Sequence, residues 1–150
     1  MNEYRKKLLR DNQIFYLHSD LKKFDWFEIS KKKLSEEFII EFRIYLHWKN
    51  ISIYQELSEE FIREFQKSLL WQFVSSAQKL SDDFLVEFKH KINWNQYFWF
   101  QKSPSFAIFK KFITKSDIES LNFVHIEHLS DHQQKEIQRI IDLKYLFQTN

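Results

Sequence analysis

The 150-residue chain has no glycine, no cysteine and a single proline, Pro104. Each absence removes a class of structure. Glycine normally supplies about 7% of residues, and phosphate-cradling loops, dinucleotide-binding turns, nucleophile elbows and primed hairpin turns all depend on its backbone freedom. A chain without it is a poor host for most nucleotide-handling and many hydrolytic enzymes, and is best served by helices. The bland cause is compositional: Lys, Ile, Phe, Asn and Tyr are plentiful, as AT-rich codons would give. Without cysteine there are no disulfides or thiolate metal sites, and an intracellular, cytoplasmic setting is expected. The N-terminal MNEYRKKLLRDNQ has no apolar signal core, and no apolar run reaches membrane-spanning length, so neither secretion nor a membrane partner is expected.

Large apolar side chains are abundant. Hydrophobic residues make up 43% of the chain and aromatic residues 19%, including 17 Phe and five Trp. That is enough for one domain to bury a core unaided. The net charge of +2 is unevenly spread: residues 1–33 carry nine Lys and Arg against five acids, and residues 34–101 carry seven against ten. This is a mildly basic N-terminal end, far from the dense basic face of a dedicated nucleic-acid binder.

The organising feature is a repeat. LSEEFIIEFRIYLHW begins at Leu34, LSEEFIREFQKSLLW at Leu57 and LSDDFLVEFKHKINW at Leu80, a strict period of 23 residues. Trp26, Trp48, Trp71 and Trp94 keep nearly the same period, which marks a repeat architecture. Within a unit Phe61, Ile62, Phe65 and Leu69 follow helical spacing along one stripe. Ser58 stands at the N-cap, Glu59 and Glu60 place negative charge at the positive end of the helix dipole, and Leu57 with Ile62 forms a hydrophobic staple. The spacing predicts a first helix of about three turns, a corner, and a second helix of about two turns starting near each Trp. Asp25 and Asn93 are candidate caps for that second helix, and Asp25-Trp26-Phe27-Glu28 has the form of a capping box. A leucine-rich repeat would share the period but needs a strand and an Asn-bearing turn, which are missing.

The expected fold is therefore all-α: short helical hairpins of about 23 residues stacked as a small solenoid. Residues 1–33 form an N-terminal cap and partial repeat, 34–101 the regular repeats, and 102–150 worn repeats and a C-terminal cap, all in one domain. Ile14, Leu17, Leu21 and Phe24 continue a helical stripe in the N-terminal part. Leu129-Ser130-Asp131 restarts the pattern near the C-terminal end.

This unit resembles that of uncharacterised tandem-repeat proteins of bacteria, phages and large DNA viruses, which repeat LSEEFI-x-EF…W-x-x-IS. The resemblance covers roughly residues 25–100. It implies a repeat fold and no activity. Its viral and phage company implies a narrower expectation, a small inhibitor or adaptor acting on a host factor in defence or counter-defence.

No residues assemble into recognisable chemistry. The acidic pairs Glu36/Glu37, Glu59/Glu60 and Asp82/Asp83 are explained by the helix dipole, and no base, nucleophile or positioning loop accompanies them. His125, His128 and His132 are the best metal candidates, but a weak set: their spacing misses the zinc-protease pattern, and surface histidines are the better explanation. The chain is expected to be no enzyme and to need no cofactor.

Two binding readings remain. In Tyr97-Phe98-Trp99-Phe100 the first two aromatics can face the core with Trp94, while Trp99 points almost opposite and Phe100 lies on the flank. Trp99 and Phe100, with Phe73 and Tyr54 at positions where the units differ, are the candidate anchors for a protein partner. The alternative is a nucleic-acid binder using Lys22, Lys23, Lys31, Lys32 and Lys33 as phosphate contacts with exposed aromatics beside them. An uncapped end of a stack would also suit a second copy of the chain.

Overall fold

Three serines open three helices, each in the same way. The protein is described by a computed structural model covering residues 1–17 and 19–100, the side chains of Phe98 and Trp99 excepted, together with Ser130, Asp131, His132, Gln134, Lys135, Gln138, Arg139 and Asp142. Its elements are α1 (Glu3–Asp11), a 3-10 turn (Leu21–Lys23), α2 (Trp26–Ile29), α3 (Glu36–Phe42), α4 (Trp48–Tyr54), α5 (Glu59–Glu64), α6 (Trp71–Ala77), α7 (Asp82–Glu87) and α8 (Trp94–Phe100). The described residues are all-α, with no strand among them. Ser35, Ser58 and Ser81 accept the amides of Phe38, Phe61 and Phe84 with their hydroxyls, and each is followed by two carboxylates in the first turn. Asp25 and Asn93 likewise accept the amides of Glu28 and Gln96 at the starts of α2 and α8. Only half of the expected capping box forms at Asp25, because the Glu28 carboxylate takes the Lys31 ammonium at 2.6 Å.

Ser58 does more than cap. Its amide and hydroxyl both donate to the Glu36 carboxylate one repeat earlier, at 2.5 and 3.0 Å. Ser58→Ala should therefore lower stability by about 1–2 kcal/mol, the upper part of the range for a lost N-cap. Urea denaturation checks this; an unchanged midpoint would show that water replaces the hydroxyl at no loss.

The first helix of each unit is shorter than its spacing predicts. α3, α5 and α7 have seven, six and six residues, under two turns rather than three. After α5 the chain turns where a third helical turn would run. In a continuing helix the Gln66 carbonyl would accept the amide of Leu70. Instead it accepts the Trp71 indole N–H at 3.0 Å, while the Leu70 amide donates to the Ser52 hydroxyl of the preceding unit at 3.0 Å. Trp26 and Trp94 use their indoles on Leu21 and Lys89 in the same way. The chain turns, and Leu69 reaches the core by that turn rather than along a helix.

The N-terminal part also departs from expectation. Ile14, Leu17, Leu21 and Phe24 do not share a helix, because α1 ends at Asp11 and Gln13 adopts φ 57°. Asn12 holds this exit: its side-chain amide donates to the Leu8 carbonyl at 2.9 Å and its oxygen accepts the Ser35 amide at 2.6 Å. Ile14 is buried as a result, while Leu17 is 97% exposed.

The chain divides into two compact units, Met1–Gln78 and Lys79–Asn150. In the first, α1 packs on α3 and α4 on α6. Arg5 pairs with Glu41 and lies 5.6 Å from the centre of the Phe42 ring, and Tyr4 donates to Glu37 at 2.9 Å. That hydrogen bond to a carboxylate raises the Tyr4 phenol above its ordinary value. Phe38, Ile39, Phe42, Ile51, Ile62 and Val74 are fully buried.

Polar side chains join consecutive repeats within this unit. Buried Gln55 donates to the carbonyls of Ser30 (3.0 Å) and Lys32 (2.8 Å) and accepts the Leu34 amide at 2.9 Å. Gln78, 23 residues later, donates to the carbonyls of Ser52 (3.4 Å) and Gln55 (2.7 Å) and accepts the Leu57 amide at 3.0 Å. Ser30 and Ser52 each donate to the carbonyl of their own Trp and accept the first amide of the next corner, from His47 and Leu70. The joints satisfy main-chain groups that the short helices leave open.

In the second unit Phe84, Leu85, Phe88, Ile92, Trp94 and Tyr97 are buried, with Trp94 edge-on to Tyr97. Further along, helical backbone begins at Asp131, where the Gln134 amide returns to the Ser130 carbonyl.

Candidate functional site

Charge divides the helices into two kinds. α3, α5 and α7 each open with two carboxylates, whereas WKNISIY of α4, WQFVSSA of α6 and WNQYFWF of α8 contain no acidic residue. In the first unit the surface residues of α2, α4 and α6 form a run of cations and aromatic rings. The Lys31 ammonium sits 4.2 Å from the centre of the Phe27 ring, which is 47% exposed. His47 meets Phe27 edge-on at 5.1 Å, and the Asn50 amide donates to the Phe27 carbonyl. On the next helices Lys49 reaches to within 5.7 Å of the Phe73 ring. Tyr54, at the end of α4, is 54% exposed. In each pair the ammonium stands over the ring, where cation–π attraction holds it.

Two of the sequence candidates, Phe73 and Tyr54, lie in this surface; Phe100 is exposed on α8 of the second unit. Trp99 belongs to α8, and its side chain lies outside the described residues. Phe27 and Lys49 escape a reading of the repeat, although the signal is present: both directly follow the repeating Trp, where the later units have Gln72 and Asn95.

The lysines separate into two groups. Lys31 is committed, its ammonium shared between Glu28 and Phe27. Lys22, Lys23, Lys32 and Lys33 are exposed and make no ion pair among the described residues. The turn through α2 brings Lys23 and Lys32 to the rim of one groove of about 330 Å3, walled by Ile14, Phe15, Leu17 and Phe24.

His132 is exposed in the helical segment that starts at Asp131, while His125 and His128 lie outside the described residues. Among the described residues no group of His, Asp and Glu is placed to hold a metal ion, and no helix is long and apolar enough to cross a membrane. Compared with protein-family models, with curated proteins and with solved structures, the chain gives no match.

Proposed function

We propose that the protein is a non-enzymatic protein-interaction module, its repeats stacked as a small helical solenoid, and that the surface of α2, α4 and α6 is its binding face. The observation that carries this is the ring row of Phe27 and Tyr54, each about half exposed, with part-buried Phe73 beside them, on helices from which acidic residues are absent apart from Glu28. Side chains of this kind dominate interface energies because they bury large areas with little loss of rotamer freedom. Stacked repeats commonly bind through one extended face. The narrower reading, an inhibitor or adaptor acting on a host factor, rests on the resemblance of the repeat alone. Trp99 and Phe100 extend the list of anchors to be tested.

Affinity capture with the tagged protein from a low-GC bacterial lysate, with and without nuclease, tests the reading. The expected result is a protein retained after nuclease and lost on combined Phe73→Ala and Tyr54→Ala substitution, with helical content unchanged. A loss of about tenfold or more in affinity is expected for the pair. Capture that disappears with nuclease and falls steeply with salt would favour the alternative, a nucleic-acid binder using Lys22, Lys23, Lys32 and Lys33.

A further inference from the structure

The segment after α1 exposes more apolar surface than any helix of the first unit. Phe15 is 89% exposed and Leu17 97%, although they flank a groove whose floor includes buried Ile14. The main chain of Phe15, Tyr16 and Leu17 makes no hydrogen bond among the described residues. Unpaired amides and carbonyls beside an apolar recess are what an added peptide strand uses: main-chain bonds give affinity, and alternate side chains enter the recess.

The charge around the groove selects the sign of the occupant. Lys23 and Lys32 stand at the rim with Lys22 and Lys33 beside them in sequence, and none has an acidic partner among the described residues. Of the two carboxylates that also line the groove, one is offset by a cation and the other keeps its charge. Asp25 accepts the Glu28 amide at 3.0 Å, and Glu28 holds Lys31 at 2.6 Å. With Lys31 offsetting Glu28, the remaining cations Lys22, Lys23, Lys32 and Lys33 outnumber Asp25, a balance complementary to an acidic segment carrying bulky apolar side chains.

The ring geometry disfavours a nucleic-acid strand. Stacking of bases needs free ring faces. Phe24, the aromatic wall of the groove, lies stacked on Trp26 at 5.4 Å and packs against Tyr16 at 5.8 Å. The other rings of the lining are Tyr16, which packs on Phe24, and a single Phe15, and the remaining apolar walls are aliphatic.

We infer that the groove between the Ile14–Leu17 segment and α2 is a second binding site, for an acidic peptide segment of a partner protein that inserts two bulky apolar side chains. The inference rests on the interaction-module reading and adds a site and a ligand chemistry to it. The test is selection of a displayed library of short random peptides on the full chain, followed by titration of the synthesised winners. Enriched peptides should be net acidic, with two large apolar residues within four positions of each other. They should bind Phe15→Ser/Leu17→Ser about tenfold or more weakly, lose affinity with Lys23→Glu/Lys32→Glu, and ignore Phe73→Ala. The first pair of residues is almost wholly exposed, so folding is not at stake.

Neutral or basic winners, or winners insensitive to the Phe15/Leu17 variant, would overturn the inference. Winners that depend on Phe73 and not on Phe15 would overturn it while leaving the interaction module standing. A dimer in light scattering that dissolves on Phe15→Ser/Leu17→Ser would give the groove to a second copy instead. Binding of an oligothymidine that is lost on Lys23→Glu/Lys32→Glu would give it to nucleic acid. A chain that selects no peptide and captures no protein would end both readings.

Discussion

Gln55→Leu is expected to lower the unfolding free energy by about 3–5 kcal/mol, out of proportion to the size of the change. Leucine nearly matches glutamine in volume, so a cavity contributes little. The loss is polar. Gln55 is 4% exposed and satisfies three main-chain groups at once: the carbonyls of Ser30 and Lys32 and the amide of Leu34. Removing it leaves these groups without their partner in a nearly dry place, at about 1–3 kcal/mol for each one left unsatisfied, less whatever relaxation or water recovers. Gln55→Glu separates donor from acceptor. It keeps an oxygen for the Leu34 amide but turns the two donations into carboxylate facing carbonyl, so it should be at least as damaging as leucine near neutral pH. Urea denaturation followed by far-ultraviolet circular dichroism measures both. A loss below about 1 kcal/mol for Gln55→Leu would mean that the joint is wet or adaptable, and that packing alone holds the repeats together.

Trp26→Ala should be comparably severe, about 3–5 kcal/mol, for the opposite reason. Its indole is 9% exposed and meets three rings: Phe24 and Tyr45 stacked at 5.4 and 5.0 Å, and Phe42 tilted at 5.4 Å. Truncation removes a large apolar area and leaves a void that flanking turns can fill only in part. One polar contact is also lost, the 2.8 Å hydrogen bond from the indole to the Leu21 carbonyl. Trp26→Phe isolates that contact and should recover most of the packing, leaving a deficit of about 1–2 kcal/mol. Amide exchange adds a local signature: the Phe24 amide, bonded to that same Leu21 carbonyl, should lose protection before the amides of α3. Equal protection throughout would show that Trp26 acts on the whole unit and has no special hold on the 3-10 turn.

The helix starts were readable in the sequence because capping is local: serine, two acids and an apolar pair settle the first turn without reference to anything distant. The helix ends were not. The turn that follows α5 is fixed where Trp71 reaches back to Gln66 and where Ser52, a whole repeat earlier, takes the Leu70 amide. Spacing along one segment carries no trace of that second contact. The same limit explains Ile14, Leu17, Leu21 and Phe24, whose helical spacing is overridden once Asn12 binds Ser35. Gln55 and Gln78 are instructive in another way. Their period was visible, and Gln101 repeats it beyond the described residues, yet a recurring polar residue reads as surface until the carbonyls it meets are known. For the proposed binding face, comparison of units singled out Phe73 and Tyr54. Phe27 and Lys49 differ from their counterparts just as clearly, but only the cation over each ring shows why the difference matters.

The glutamine joint bears on how such a chain changes length over generations. Every atom it uses belongs to a position that recurs in each unit, and none belongs to a residue peculiar to one place. Duplication or loss of a whole unit in the gene would present each new junction with the same amide and the same carbonyls, so whole units can be gained or lost without new chemistry at the joint. The two joints already differ by one residue: three residues separate Ser30 from Leu34 and four separate Ser52 from Leu57, yet Gln55 and Gln78 make the same three bonds. The joint thereby suits changes of copy number and absorbs one residue of slack in the corner it spans.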